Sequence, residues 1–265
     1  MQPLTHEPII RVSVFLGMLI LMFTLELIIP KRRLLVPKTK RWLNNLALVI
    51  LDSILLRVLL PTAAVGIALW AKAENFGLLN YFDTPLYIGL PLTVILLDMT
   101  VYLQHVMFHA LPILWRIHRV HHVDQDFDVT TGLRFHPIEI ILSMLIKFSV
   151  ILLLGAPALG VMVFEILLNA TAMFNHGNIQ LPFKLDKYLR WFVVTPDMHR
   201  VHHSTIYKET NSNFGFNLPI WDRLFGTYQS QPQKGHVNMD IGLAEFKDQK
   251  QTQSLLSMLW LPFKK

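Results

Sequence analysis

The chain of 265 residues contains no cysteine. This absence excludes disulfide bonds, thiolate metal sites, iron–sulfur clusters and cysteine nucleophiles, so any metal ion must be bound through nitrogen or oxygen. Charged residues are also scarce, at 16% of the chain, whereas 52% of the residues are apolar and the mean hydropathy is +0.41. Such proportions are typical of a protein embedded in a lipid bilayer.

Long apolar segments support a membrane location. A helix needs roughly 20 mostly apolar residues to cross the hydrocarbon region, and Ile9 to Ile29, Leu46 to Trp70 and Pro85 to Leu103 are each long enough. A fourth segment, Ile138 to Phe174, is interrupted near Pro157, which predicts two shorter spans in a hairpin. We expect an all-α integral membrane protein with about four to five transmembrane helices. The first span shows no cleavage site and is expected to be retained.

Basic residues indicate the orientation of these spans. The net charge is +6, and six basic residues cluster between Lys31 and Arg41, directly after the first span. A basic juxtamembrane loop explains this charge without a nucleic-acid partner, and such loops remain in the cytoplasm. If this loop is cytoplasmic and each span crosses the membrane once, the end of the third span is also cytoplasmic. The same holds for both ends of the hairpin and for everything from Asn175 onward. We therefore expect a multi-pass protein with all its clustered histidines on the cytoplasmic side.

Two later segments have amphipathic patterns. Residues Pro182 to Val194 alternate charged and large apolar side chains, which predicts a helix that either lies in the membrane interface or packs on the domain. The tail from Ile241 to Lys265 ends in apolar residues and is expected to dock on the membrane or on the domain.

Histidines form the main polar pattern of the chain. Ten of the twelve belong to one pattern of clusters and intervening single histidines, and the string His-Arg-Val-His-His occurs twice. Residues three or four apart lie on one face of a helix, so each string can direct two or three imidazoles at a common point. One ion takes four to six ligands, so ten histidines predict a dinuclear centre. The candidate ligands are His105, His109, His118, His121, His122, His136, His176, His199, His202 and His203.

The positions of these histidines limit the chemistry. No His-Glu-x-x-His string of a zinc protease is present, and a haem-binding bundle would place single histidines inside the spans. Here the histidines cluster at the span ends and beyond them. A metal held there can meet a lipid chain from one side and oxygen and electrons from the other. Oxygen activation is the hypothesis that follows, and it requires redox-active iron because zinc cannot change its oxidation state.

At this point the chain resembles the fatty acid hydroxylase superfamily, the sterol desaturase-like membrane di-iron oxygenases. The resemblance extends from about Asp98 to Tyr228, and many members have a basic residue where Gln104 stands here. The strings that carry it are DMTVYLQHVMFH at 98–109, RIHRVHH at 116–122, TTGLRFHPIE at 130–139, NHGN at 175–178, TPDMHRVHHS at 195–204 and NFGFNLPIWDRLFGTY at 213–228.

The resemblance assigns roles to individual residues. His105, His109, His118, His121, His122, His199, His202 and His203 match the catalytic histidine boxes, and His136 and His176 match the further metal ligands. Four carboxylates could orient imidazoles through the second ring nitrogen: Asp98, Asp124, Glu139 and Asp197. The implied organisation is transmembrane helices and loops in residues 1–83, a catalytic domain in residues 84–230 and a cytoplasmic tail in residues 231–265.

The resemblance also implies an activity. Two iron ions, replaceable by zinc on isolation, would use O2 to attack an unactivated C–H bond of a membrane lipid, with hydroxylation or desaturation as the outcome. The chain has no dinucleotide-binding motif, so a separate reductase, ferredoxin or cytochrome would supply electrons. The alternative is a non-catalytic metal carrier or sensor. Arg116, Arg119, Arg134 and Arg200 are expected to form a basic surface, either for an acidic donor or for lipid headgroups.

Overall fold

The computed structural model describes residues 2–246, 248 and 252–264, and all regular elements within these residues are helical. Two 3-10 turns, Thr131–Leu133 and Leu261–Phe263, accompany the α-helices. In chain order the α-helices are α1 (Gln2–Thr5), α2 (Glu7–Ile28), α3 (Lys38–Leu59), α4 (Ala63–Ala73), α5 (Leu78–Tyr81), α6 (Leu86–Ala110), α7 (Pro112–His122), α8 (Pro137–Leu154), α9 (Ala158–Asn175), α10 (Phe183–Leu189), α11 (Pro196–His202), α12 (Tyr207–Thr210), α13 (Ile220–Leu224), α14 (Gly235–Asn238) and α15 (Leu255–Trp260).

Five helical segments are long and apolar enough to cross a membrane. They are α2, the segment Lys38–Tyr81 that contains α3 to α5, α6, α8 and α9. Many large apolar side chains on these segments face outward, as lipid contact requires; Ile20 is 64% exposed and Ile50 is 61% exposed. The predicted all-α membrane fold is confirmed.

The second predicted span is not one continuous helix. α3 ends at Leu59, and α4 begins at Ala63 after a break that contains Pro61. Proline has no amide hydrogen, and its ring forces the preceding residue out of the helical conformation. Leu60 accordingly has φ −131° and ψ 64°. The predicted span from Leu46 to Trp70 is confirmed as part of the segment Lys38–Tyr81, but average hydropathy does not detect the local break.

The hairpin between the last two spans is confirmed. α8 ends at Leu154 with Gly155 in the left-handed region at φ 65°, and Pro157 precedes α9. A side chain at Gly155 would be strained by that φ, and its Cβ would lie 2.8 Å from the Phe76 carbonyl oxygen. The glycine therefore allows both the reversal and the close approach of the preceding loop.

One end of the helix bundle carries a helical cap, by which we mean α7, the loop at residues 123–136 and α11 to α14. The segment after α2 contacts the segment that leads from α9 to this cap through an isolated bridge between Pro30 and Ile179. Fully buried Arg41, near the start of α3, binds Asp124 with contacts of 2.9 and 2.8 Å and binds Asp128 at 2.7 Å. Arg41 was counted in a basic loop, yet it forms the charged core of the cap. The membrane side on which the cap lies stays a prediction.

The two amphipathic segments differ in their packing. α10 is shorter than predicted, and large side chains in and after it are exposed, including Phe183 at 72% and Phe192 at 74%. This exposure favours the interfacial alternative. The C-terminal α15 instead docks on the cap, where Met258 and Leu261 pack with Val120 of α7.

The predicted basic surface is wrong for three of its four arginines, while Arg116 is exposed. Arg134 and Arg200 are fully buried, and Arg119 is 8% exposed. Arg119 donates to the carbonyl oxygens of Leu261 and Lys264, so these guanidinium groups bind the protein's own backbone and acids instead of a partner. A long cationic side chain is mostly exposed unless its charge is satisfied internally, which a single sequence does not reveal.

We expect Arg41→Ala to destabilise the cap by about 3 kcal/mol or more, because buried Asp128 loses its cation and buried Asp124 keeps only a 3.7 Å contact with Arg134. Thermal unfolding in detergent measures this effect. Lys40→Ala removes a neighbouring but exposed cation and is the matched control, expected to change the melting temperature little. Equal melting temperatures for the two variants would contradict the assigned role of Arg41.

Candidate metal centre

Two consecutive helices carry the first five of the clustered histidines. His105 and His109 lie one turn apart near the end of α6, and α7 starts two residues after α6 ends. Pro112 occupies the first position of α7, where its missing amide hydrogen costs no helical hydrogen bond. α7 then carries the first His-x-x-His-His string at its end.

The remaining four clustered histidines come from α9 and α11. His176 directly follows α9. Thr195 caps α11 by accepting a hydrogen bond from the Met198 amide, and Pro196 occupies the first position of the helix. This short helix, only seven residues long, carries the second His-x-x-His-His string, whose final histidine lies just after the helix ends.

The imidazoles form two groups, and within each group the potential ligand atoms lie within 4.8 Å of one another. Every member is buried except His109, which is partly buried. Nine of the ten predicted ligands are thus brought together. The first group contains His105, His109, His118, His122 and His202, and the second contains His121, His176, His199 and His203.

The distances between ring nitrogens fit metal coordination. Two ligands at right angles on an ion, with bonds of about 2.1 Å, are separated by about 3.0 Å. Four pairs of Nε2 atoms are 3.1 Å apart. They are His105 with His118 and His109 with His122 in the first group, and His176 with both His121 and His199 in the second.

Several buried ring nitrogens have no hydrogen-bond partner among the described residues. They include Nε2 of His202, Nδ1 of His199 and both ring nitrogens of His203. An unsatisfied buried polar atom costs about 1–3 kcal/mol. Ligation of an ion would satisfy the Nε2 lone pairs, so the donor set fits one metal ion in each group. Nitrogen-only sites of this kind suit iron, zinc, copper or nickel.

Backbone carbonyl groups orient four of these rings by accepting a hydrogen bond from Nδ1. A carbonyl oxygen only accepts, so a ring nitrogen that bonds it carries the proton and leaves Nε2 free to bind metal. Four rings donate in this way through Nδ1. His105 donates to Phe214 at 2.8 Å, His121 to Arg134 at 3.2 Å, His176 to Ala172 at 2.8 Å and His202 to Ser212 at 2.8 Å.

The cap keeps its imidazoles neutral. Burial lowers the pKa of His176 and of His202 to about 3. Burial, followed by the proximity of other imidazoles, lowers the pKa of His121 and His203 well below the ordinary value. Neutral imidazole is the form that binds metal, so these histidines are ready to act as ligands at physiological pH.

Among the described contacts of the four predicted orienting carboxylates, that of Glu139 is the one made with a grouped histidine, 2.7 Å from Nδ1 of His118. Asp197 lies 3.9 Å from Nε2 of His236, which belongs to neither group. Asp98 accepts hydrogen bonds from the Leu218 amide and the Trp221 indole. The other two form ion pairs away from the rings: Asp124 binds Arg41, and Asp197 binds Lys31 and Arg200.

Two further residues support the histidine groups through contacts that the sequence did not predict. Asp222 accepts hydrogen bonds from the amides of Phe214 and Gly215, which fixes the carbonyl behind His105. Gly132 lies against α9, where an added Cβ would be 2.5 Å from the Ala172 carbonyl oxygen and 2.9 Å from Nδ1 of His176. Both belong to strings that carry the family resemblance, but only the folded chain reveals these contacts.

His136 is placed outside both groups. Its Nδ1 accepts a hydrogen bond from the Ile138 amide and so caps α8, and its Nε2 lies 3.2 Å from the Leu259 carbonyl oxygen. The structure therefore gives His136 a helix-capping position near the C-terminal segment. Through α8 it also supports Glu139, which contacts His118.

A mainly apolar cavity of about 500 Å³ adjoins the first group. His105 and His118 form part of its wall, and side chains such as Phe15, Val101 and Leu168 line much of the rest. Most of the lining residues belong to membrane-spanning helices, so the cavity presents apolar walls beside the first histidine group.

Comparisons with known proteins place these observations in a family context. The fatty acid hydroxylase family model matches residues 90–227. An ornithine lipid hydroxylase of Rhizobium tropici is 30% identical over 183 residues, which cover 68% of this chain and 51% of that protein. The human alkylglycerol monooxygenase is 24% identical over 201 residues, covering 72% of this chain and 41% of the human protein.

The Xenopus tropicalis alkylglycerol monooxygenase is 28% identical over 148 residues, covering 54% of this chain and 31% of that protein. The chain thus spans about half or less of the length of these curated relatives. No solved structure matches it.

Metal content provides a direct test of the two groups. We expect the unchanged protein to retain about two ions per chain, and His121→Ala or His203→Ala to retain about one, because each removes a ligand from the second group only. His136→Asn is the control, since asparagine preserves a helix-capping acceptor. Elemental analysis of the purified variants measures this, and loss of an ion from the control would contradict the grouping.

The lowered histidine pKa values predict a pH dependence of stability. Below the ordinary histidine pKa of about 6.5, the unfolded chain binds protons that the buried imidazoles do not bind until the pH approaches 3. The melting temperature of the metal-free protein should therefore be constant above pH of about 7 and fall as the pH decreases below about 6.5. Replacement of His176 and His203 by glutamine should make this fall shallower. An identical pH profile would contradict the assignment.

Proposed function

Since the chain belongs to the fatty acid hydroxylase family, we propose that it is a membrane-bound oxygenase that hydroxylates a lipid at two clustered iron ions. The observation that carries this proposal is the position of His105 and His118. Both side chains belong to the first histidine group, and both also line the apolar cavity. A C–H bond in the cavity and a metal ion bound by that group would therefore be neighbours.

Iron, when bound, supplies the activation of dioxygen and the attack on an unactivated C–H bond. In the overall reaction, one oxygen atom enters the C–H bond, and the other leaves as water with two protons and two electrons. An external donor supplies these electrons, because the chain contains no cysteine cluster and no dinucleotide motif. Hydroxylation is preferred to desaturation because the similar proteins are named as hydroxylases and monooxygenases.

The chain's own residues provide placement. The carbonyl oxygens of Phe214 and Ser212 and the carboxylate of Glu139 fix the rings of the first group, so that their Nε2 atoms converge. Burial of the rings excludes water, and apolar walls hold the lipid chain without offering competing hydrogen bonds. Such pre-positioning reduces the reorganisation needed at the moment of reaction.

The proposal is tested by expressing the gene in a host, supplying ¹⁸O-labelled dioxygen and comparing the lipids with those of the host without the gene. We expect a lipid that carries one labelled oxygen atom in cells with the unchanged protein. His202→Ala should abolish this product, because it removes a ligand of the first group, while the protein still inserts into membranes.

The metal content and the labelled product together distinguish the proposed oxygenase from a metal carrier, a sensor or a desaturase. About two irons per chain together with a labelled lipid would support the proposal. Tightly bound zinc, with no labelled lipid even when a competent reductant is present, would contradict it and favour a metal carrier or sensor. Label-free loss of hydrogen from a lipid would instead indicate desaturation.

A further inference from the structure

The cavity beside the first histidine group has unsatisfied hydrogen-bond acceptors. Three buried side-chain oxygens on its wall have no hydrogen-bond partner within the described part of the chain: Oδ1 of Asp52, Oε1 of Gln104 and Oε2 of Glu139. Among the described cavity-lining residues, no buried side-chain donor is left unsatisfied in this way. The unsatisfied buried side-chain atoms described on the cavity wall are therefore acceptors.

Asp52 is the most unusual of the three. It lies in α3, eleven residues after Arg41 and so about 16 Å further along the helix, within the membrane-spanning segment. Asp52 is buried, with only 7% of its surface exposed. An ionisable residue inside a membrane span is costly and normally pairs with another group, so an acid that faces a cavity without a partner indicates a ligand.

The cations on the same cavity wall are already paired. Arg11 binds Glu165 at 2.8 Å, and it also binds Glu7 at 2.8 Å. Lys147 binds the other oxygen of Glu165 at 3.0 Å. Because these cations have partners within the protein, the cavity offers no free positive charge to a carboxylate or phosphate.

We propose that the cavity binds a lipid whose polar group carries hydrogen-bond donors, a hydroxyl or amino group, and that Asp52 is the acceptor that selects it. This inference rests on the proposed function only for the oxidation step. Glu139 contacts His118 and Gln104 precedes His105, so the donor-bearing group lies beside the first histidine group. The oxidised carbon is then close to the polar group, not at the far end of the chain.

Binding of simple lipids tests the proposal without turnover. The purified protein in detergent is titrated with hexadecan-1-ol, hexadecylamine, 1-methoxyhexadecane and palmitate, and affinity is measured by thermal stabilisation. We expect the alcohol and the amine to bind about tenfold or more tightly than the ether, because only they donate a hydrogen bond to a buried acceptor. Palmitate should show no advantage over the ether.

Variants assign this preference to Asp52. Asp52→Leu keeps the branched shape of the side chain without its polar atoms, and it should bind the ether while losing the preference for the alcohol. Asp52→Asn retains an acceptor oxygen and should keep part of the preference for the alcohol over the ether. Glu74→Gln, at an exposed position, is the matched control and should behave like the unchanged protein.

Two outcomes would overturn the proposal. Equal affinity of the unchanged protein for the alcohol and the ether would show that no donor is recognised, whether or not the Asp52 variants fold. A preference for palmitate would instead assign recognition to Arg11 and Lys147. A protein that selects the alcohol but forms no labelled lipid would contradict the proposed function and leave this inference intact.

Discussion

The arrangement of the cap depends on one electrostatic constraint: nitrogen lone pairs of neutral imidazoles point at one another across 3.1 Å. Two acceptors at this distance repel unless a proton or a cation lies between them. Burial makes protonation unfavourable, as the lowered pKa of His203 illustrates. A cation bound by each group would relieve this repulsion, so on the proposed function the burial that destabilises the metal-free cap favours the metal-bound one.

The rest of the cap prevents the rings from turning away. Carbonyl oxygens hold the far side of several rings, and those carbonyls are fixed in turn, as when Asp222 binds the Phe214 amide. Further out, Arg41 joins the start of a membrane span to the loop after α7 through Asp124 and Asp128. Arg41 therefore ties the membrane helices to the cap, and on the proposed function a lipid bound between the spans would have a defined position relative to the histidines.

The sequence predicted those parts of the structure that depend on local pattern. Span length is a local property, and the His-x-x-His-His spacing is a property of one helical turn, so the spans and most clustered histidines could be recognised. The break at Pro61 was missed because hydropathy averages over it. Pairing across the fold was not accessible: Arg41 looks like any basic loop residue until Asp124 is placed beside it. His136 and His176 are both isolated histidines in the sequence. Only the fold shows that His176 belongs to the second group and that His136 caps α8.

The origin of the cavity walls has a consequence for kinetics. Most of its lining comes from membrane helices, including Phe15 of α2 and Val49 of α3. On the proposed function, a substrate then reaches the cavity from within the bilayer. The substrate concentration that the protein experiences is then the density of the lipid in the plane of the membrane. On the proposed function, reaction rates should follow the mole fraction of the lipid in a vesicle or micelle, and dilution of substrate by inert lipid should slow the reaction even when the bulk concentration is unchanged.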